Sequence, residues 1–306
     1  MDWISRRLSR TREAPAPFIV GSPRSGTTLL RLMLDSHPDL AIPPETWFLP
    51  KLGDLAGRGE ALREAFFREI VTSPAGATIW GDFQISAGDF HAGLAAIRPF
   101  TVAAGCRLFY RLYAARFGKP RWGDKTPMYA HHLRAIERVL PEARFVHLVR
   151  DGRDAATSLR ERWFSPGHDI GVQAAFWRDN LLAARRQGAE CRHFLEVRFE
   201  DLVEDSEAVL RRICDFIALD FRPEMLRYHE RAPRRLEEHG ARYAVDGRLL
   251  VSREERLRQQ AHTRVPPDAA KIGAWRAALS PEEGRRFEEI AGDLLAAYGY
   301  SVEKPS

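Results

Sequence analysis

Cysteine is scarce in this chain, and the three that occur, Cys106, Cys191 and Cys214, are far apart with no Cys-x-x-Cys pair. An odd, scattered set builds neither a disulfide framework nor a zinc site, and it fits a reducing, cytoplasmic setting. Long apolar runs are also missing: no stretch approaches the ~20 residues that a membrane span needs. Residues 1–17 are basic and proline-containing but lack the apolar segment of a secretory signal. They are expected to form an N-terminal arm over 1–15, with Trp3, Ile4 and Leu8 available for one docking turn. No strong charge excess is present either. Against 42 acidic residues stand 47 basic ones, giving +5 and a pI of about 9.3, which suits an anionic small ligand without demanding nucleic acid. Internal repeats and low-complexity tracts are absent, and no group of carboxylates has the look of a magnesium site. His37, His131, His132 and His147 read as turn, helix-surface or core residues rather than metal ligands.

What is present is a 306-residue chain, 44% hydrophobic and 29% charged, with material for one large α/β domain over 16–306. The organising stretch is Phe18-Ile19-Val20-Gly21-Ser22-Pro23-Arg24-Ser25-Gly26-Thr27-Thr28-Leu29-Leu30. Three apolar residues predict a buried strand, a Gly/Ser/Pro turn ends it, and a helix is predicted over 27–34. A strand, a glycine loop and a helix N-terminus converge backbone N–H groups and a positive dipole end on one point, which is an anion site. The spacing Gly21-x4-Gly26 matches a P-loop, yet Thr27 stands where a nucleotide triphosphatase carries lysine. The cation is instead Arg24, inside the loop. This argues against ATP hydrolysis and for another phosphate-bearing ligand.

Two further strands follow the same apolar logic, 143–150 and 193–199, the first nearly continuously apolar over 145–149 as in a parallel sheet covered on both faces; helices are expected over 128–140 and 222–230, and a turn at 200–202. The fold expected is a P-loop-type three-layer αβα domain with a central, mostly parallel sheet. A helical insertion over 52–118 is expected to cover the site at the strand ends, although its aromatic residues are more often core than pocket lining. Glu45 follows a short strand next to the anion loop, and reads equally as a functional carboxylate or as a helix-terminal acid. Lys125, at the end of a short strand, either points at the anion or pairs with Asp124 in an exposed turn. Arg150 and Ser158 can converge on a second phosphate, or Arg150-Asp151-Gly152-Arg153 is a salt-bridged turn. The basic stretch 231–265 reads mostly as a solvated, partly mobile face from which one or two arginines fold over a bound anion.

The motifs Gly-Ser-Pro-Arg-Ser-Gly-Thr-Thr at 21–28 and Val-Arg-Asp-Gly-Arg-Asp-Ala-Ala-Thr-Ser at 149–158 together resemble those of the sulfotransferases that use 3′-phosphoadenosine 5′-phosphosulfate (PAPS). The similarity continues in Arg198-Phe199-Glu200-Asp201-Leu202 and Ile272-Gly273-Ala274-Trp275-Arg276, and looks closest to the tyrosylprotein branch and its bacterial relatives. The resemblance implies PAPS as co-substrate, no metal, and a hydroxyl acceptor on a small molecule, glycan, lipid or peptide. It implies Glu45 as general base, and Lys125 and Arg24 beside the transferring sulfonate. Ser25, Gly26, Thr27 and Thr28 correspond to the 5′-phosphate cradle, and Arg150 and Ser158 to the 3′-phosphate site. Arg264 or Lys271 corresponds to the basic contact that closes that site. Two departures are visible. Phe199 stands where the family often has tyrosine beside adenine, and Trp47 replaces an acceptor-side arginine of the tyrosylprotein enzymes. Set against this enzyme are a catalytically silent nucleotide-binding module and a P-loop kinase. The kinase is disfavoured by Thr27 and by the lack of an evident Mg²⁺ acid.

Overall fold

The structure, a computed structural model, describes residues 13–74, 78–244 and 246–302. Most of the expected arm, including Trp3, Ile4 and Leu8, lies outside the described residues. The first six of the eight strands among the described residues are β1 (Ala16–Val20), β2 (Leu40–Ala41), β3 (Arg121–Trp122), β4 (Asp124–Lys125), β5 (Ala143–Val149) and β6 (Phe194–Arg198). Four of them form one sheet in the order β4-β1-β5-β6 with every pair parallel. β2 and β3 make a short parallel pair of their own. Parallel neighbours need crossovers, and the intervening helices cover both faces, which is why β1 is buried throughout.

The side chains of β1 and β5 alternate between two cores, as the two-residue strand period requires. Ala16, Phe18 and Val20 of β1, with Ala143 and Phe145 of β5, face one apolar cluster. Ile19, Val146 and Leu148 face the other, beneath the helices Thr27–Asp35 and Ser206–Phe216. A third cluster joins the helices Gly152–Leu159, Ile170–Gly188 and Pro281–Ala297. The last of these starts on the capping box of Ser280 and Glu283, with Pro281 in its first turn.

Much of the stretch 52–118 is structural in the plain sense. Phe66, Phe90, Phe109, Tyr110 and Tyr113, from the helices Gly59–Thr72, Ala87–Ala95 and Val102–Ala115, are fully buried in the cluster that contains Phe18 and Phe145. The Tyr110 ring stacks on Trp122 with centroids 4.5 Å apart. Aromatic rings of this size dominate a core because each removes some 150–250 Å² from water.

Several local expectations change. The helix expected over 128–140 is a 3₁₀ turn, Pro127–His131, followed by the helix Leu133–Val139, with the break at His132. The helix expected over 222–230 resolves into two 3₁₀ turns, and the turn expected at 200–202 is the helix Phe199–Glu204. The stretch 231–265 departs most from its reading as a solvated face. Arg235 places its guanidinium on Asp35 at 2.6 and 2.9 Å and on Glu238 at 2.8 Å. Arg31 and Tyr113 reach the same Glu238. This buried node fastens the stretch to the helix that follows the anion loop. Its neighbours Arg231, Arg234, Arg253, Arg258 and Arg264 are exposed, so charge count alone did not separate anchors from surface. A hairpin also forms there, β7 (Arg242–Tyr243) with β8 (Leu249–Val251).

Gly26 sits at φ 95°, and a Cβ on it would lie 2.4 Å from a ring carbon of Phe199. Gly26→Ala is therefore expected to lower unfolding free energy by about 1–3 kcal/mol, from left-handed strain and overpacking together. Urea denaturation reads this loss, and adding Phe199→Leu should recover part of it, since the two residues share one contact.

Candidate active site

The loops that leave the carboxyl ends of β1, β4, β5 and β6 meet above the sheet, where ligands of parallel α/β sheets bind. After β1 the chain turns through Gly21 (φ 155°), Arg24 (φ 69°) and Gly26 (φ 95°). Ser25 donates its hydroxyl to the carbonyl of Ser22 at 2.6 Å, which closes the loop. Gly26 caps the helix Thr27–Asp35 with no side-chain acceptor. The first N–H groups of that helix, including those of Thr27 and Thr28, have no intrahelical partners to meet.

Arg24 is the hub. Its Nε donates to Ser158 Oγ at 3.0 Å, bringing the first motif onto the second across 134 residues. Burial lowers its pKa to about 10, Arg162 and Arg150 push in the same direction, and Glu45 opposes them. Arg150 leaves β5 with one amino group 3.2 Å from the Arg24 carbonyl and the other 2.7 Å from the Lys271 carbonyl. Its guanidinium stands 4.5 Å from the centroid of the Phe199 ring, and its buried Nε has no partner. Burial also draws the Arg150 pKa down, against Asp154 at 3.8 Å. That carboxylate is occupied by the backbone N–H groups of Gly273 and Trp275, both at 2.8 Å, which hold the 271–276 segment against the helix Gly152–Leu159. Lys271 thus enters through its carbonyl. Arg264 is exposed on the short turn Ala261–Arg264.

On the far side of Arg24, Lys125 is buried at the end of β4 and donates to Glu45 Oε1 at 2.8 Å. It pairs with Glu45 rather than with its neighbour Asp124. The Trp47 indole donates to the other Glu45 oxygen at 3.1 Å, from a backbone at φ 62°. Burial tends to raise the Glu45 carboxyl, but the Lys125 ammonium, with Arg242 and Arg256 beside it, outweighs burial and holds the group below the usual 4.5. Lys125 itself is lowered by burial, with Glu45 opposing.

A network that sequence reading missed sits directly beneath this pair. Thr46, next to Glu45, donates its hydroxyl to Asp124 Oδ2 at 2.7 Å, and Asp124 is next to Lys125. Tyr110 donates to the same oxygen at 2.9 Å, and Tyr129 OH lies 2.7 Å from Thr46 Oγ1. Burial pushes the Asp124 carboxyl up to about 6 despite these hydrogen bonds. Thr46 N also donates to Thr126 Oγ1 at 3.0 Å. The residues flanking Glu45 and Lys125 are thereby locked to each other, which fixes the spacing of the pair above. The only available signal was adjacency: a threonine after one site residue and an aspartate before the other. Arg162, Arg242 and Arg256, further cations that act on Arg24 or Glu45, lie outside both motifs; Arg242 and Arg256 fall in the basic stretch 231–265, and Arg162 left no signal.

This arrangement defines a class: an αβα protein whose parallel strand ends gather buried cations and set one carboxylate beside a lysine. A family model described as "Sulfotransferase family" matches residues 15–223, and the chain belongs to that family. The nodulation protein NoeE of Sinorhizobium fredii is 29% identical over 92% of this chain and 65% of its own length. A putative protein-tyrosine sulfotransferase of Caenorhabditis briggsae is 25% identical over 94% of this chain and 90% of its own. The chain thus spans just under two-thirds of NoeE. Among solved structures, the sulfotransferase domain from the curacin biosynthetic pathway superposes with a TM-score of 0.62 at 21% identity, covering 96% of this chain and 100% of that one. The sulfotransferase domain of the Synechococcus PCC 7002 olefin synthase gives 0.58 at 24% identity, over 96% and 98%. These likenesses fix the fold.

Thr46→Val removes the hydroxyl that joins the two flanking residues. It is expected to cost about 1–3 kcal/mol of stability because the buried Asp124 carboxylate loses one of its hydroxyl donors, and to displace the Glu45–Lys125 pair. Thr46→Ser, which keeps the hydroxyl, should restore most of both. Chemical denaturation, with turnover once an acceptor is in hand, checks the series.

Proposed function

We propose that this chain transfers the sulfonate group of PAPS to a hydroxyl of an acceptor by in-line displacement, with Glu45 as the base. One arrangement carries the reading: Arg24 bonds Ser158 and Arg150 bonds the Arg24 carbonyl at the strand ends, where burial, Arg162 and Arg150 all lower Arg24 while Glu45, paired with Lys125, opposes them. Clustered buried guanidiniums are costly unless an anion meets them. An adenosine carrying phosphate at both ends suits this spacing of cations. Ser25 to Thr28 would hold the 5′ end on backbone N–H groups, and Arg150 with Ser158 the 3′ phosphate. Phe199, already under the Arg150 guanidinium, would stack on the base without the hydroxyl contact a tyrosine gives. The orphaned Nε of Arg150 fits such a ligand. Lys271 or Arg264 would complete the 3′ grip.

PAPS supplies an activated sulfonate whose departure leaves negative charge on the bridging phosphate oxygen. Lys125 and Arg24 are the fixed donors for that charge, so the reaction is assigned to side-chain cations without a metal. Glu45 accepts the acceptor's proton as its oxygen attacks, a role worth roughly 10²–10⁴ in rate. Lys125 serves two anions in turn. Before the sulfonate binds, it keeps Glu45 ionised; once shared with the sulfonate, it holds Glu45 less tightly, and the carboxylate becomes a better base. The unpaired cysteines suit a reducing, cytoplasmic setting, which is part of the same proposal.

Calorimetry with adenosine 3′,5′-bisphosphate tests the binding half: heat of association is expected for the wild type and a clear loss of affinity for Arg150→Ala. No heat at millimolar ligand would end the assignment. An acceptor screen with mass detection of an added sulfonate tests the chemistry, and Glu45→Gln should cut turnover by roughly 10²–10⁴ while leaving bisphosphate affinity near wild type. The pH profile follows from the sign of the Glu45 shift. The acid limb of kcat/KM for PAPS should fall below pH 4.5, the unperturbed glutamate value, and the limb of kcat should lie higher, because Lys125 is then shared. Coincident limbs, or one near neutrality, would remove Glu45 as the titrating base.

A further inference from the structure

Arg242 is a largely buried cation without an anion of its own. Its side chain is 13% exposed, and its Nε is buried with no hydrogen-bond partner. Asp82 stands 4.0 Å away, but that carboxylate is already taken. Arg256 donates to both of its oxygens, at 2.6 and 3.0 Å, and the Gly240 N–H adds a third bond at 2.9 Å. One negative charge therefore serves two guanidiniums, and Arg256 has the better geometry.

The other carboxylate within electrostatic reach is Glu45, and the influence is mutual. Glu45 favours the charged form of Arg242, while Arg242 helps hold Glu45 ionised. Yet both Glu45 oxygens are engaged as well, one by Lys125 and the other by Trp47. Arg242 comes from β7, in a segment tied to Asp82 of the helical insertion, and not from the loops that carry Arg24, Arg150 and Ser158. A desolvated guanidinium in that position is an unsatisfied charge unless something brought to Glu45 carries the complement.

We propose that Arg242 is the anion-recognition residue of the acceptor pocket, so that the hydroxyl compound deprotonated by Glu45 carries a carboxylate or comparable anionic group. The inference rests on the reading of Glu45 as the acceptor-side base. It is also electrostatically consistent, because a negatively charged acceptor approaching an ionised glutamate needs a cation that the donor nucleotide has not already taken. Lys125 and Arg24 are committed to the sulfonate, Arg256 to Asp82, and Arg162 to Glu255 at 3.8 Å. Arg242 is what remains.

The test uses the full chain saturated with adenosine 3′,5′-bisphosphate and matched hydroxyl compounds differing only in charge: 4-hydroxyphenylacetate against its amide, and glucuronate against glucuronamide. Ligand-observed NMR titration reads affinity. In the wild type at least one acid should bind about tenfold or more tighter than its amide. Arg242→Gln should erase that preference, and Arg242→Lys should keep part of it. Both variants should bind the bisphosphate like wild type and keep the wild-type denaturation midpoint within a few degrees, since the Arg256–Asp82 anchor is untouched. Equal binding of acid and amide in both pairs would overturn the proposal. So would an acid preference that survives Arg242→Gln, which would place the carboxylate on Lys125 or Arg24 instead. A fall in bisphosphate affinity matching that of Arg150→Ala would assign Arg242 to the donor side and overturn it too. Failure of the bisphosphate to bind wild-type protein would instead strike the functional reading itself.

Discussion

Positive charge taken out of water is the constraint around which this structure is arranged. Arg24, Arg150 and Lys125 all have their charged forms disfavoured by burial, at the one place where four parallel strands end. A protein interior tolerates such a group only when hydrogen bonds and opposite charge replace its hydration. The chain supplies part of that replacement itself, through the carbonyls of Arg24 and Lys271, the Ser158 hydroxyl and the Phe199 ring. These are neutral partners. They steady the guanidiniums without discharging them, and it is this remaining charge that the proposed nucleotide would meet.

The same economy governs the pair at Glu45 and Lys125. A buried carboxylate alone would rise in pKa and become protonated; a buried lysine alone would fall and lose its proton. Placed 2.8 Å apart, each keeps the other charged. The spacing cannot be left to two flexible side chains, because an ångström of drift would change which group either of them reaches. It is set from below by Thr46, Asp124, Tyr110 and Tyr129, none of which faces the ligand side. Tyr110 in turn belongs to the aromatic core against Phe18 and Trp122. Packing in the helical insertion and geometry at the site are thus continuous, which explains why a stretch with no chemistry of its own carries so much buried aromatic surface.

How much of this could be read from the sequence differed between the two halves of the site. Strands 16–20 and 143–149, the loop with Arg24, and the helices after it were legible because local chemistry dictates them: apolar runs for buried parallel strands, glycines where φ turns positive, polar residues at helix starts. Arg150 and Ser158 followed from the same strand-turn-helix logic. The stretch 231–265 was not legible, because Arg235 and Arg234 are neighbours of identical composition and opposite fate. Only the partners Asp35 and Glu238, about 200 and 3 residues from Arg235, decide that one is buried and the other is not. The breaks at His132 and around Tyr228 have the same origin. Tertiary contacts, here the anchoring of Tyr129 to Thr46 and of Tyr228 to Val265, override a helical pattern that is locally adequate.

That asymmetry has a physical source. The donor half of the site, as proposed, would bind through backbone N–H groups and loop geometry, and such a device has to be encoded contiguously, since a glycine two positions away no longer turns the same loop. The acceptor half, as inferred, is assembled from single side chains on separate elements: Trp47 after β2, Asp82 in the insertion, Arg242 on a hairpin, Arg256 on the helix that follows it. Any one of these can change without disturbing the sheet or the anion loop, provided the charge balance around Asp82 and Glu45 is kept. Arg256 occupies Asp82 so completely that Arg242 is released from structural duty, and its free guanidinium then costs stability for as long as no anion meets it. A charge kept at such a cost, next to the proposed base and outside the nucleotide motifs, is best understood as one half of an interaction whose other half arrives with the acceptor.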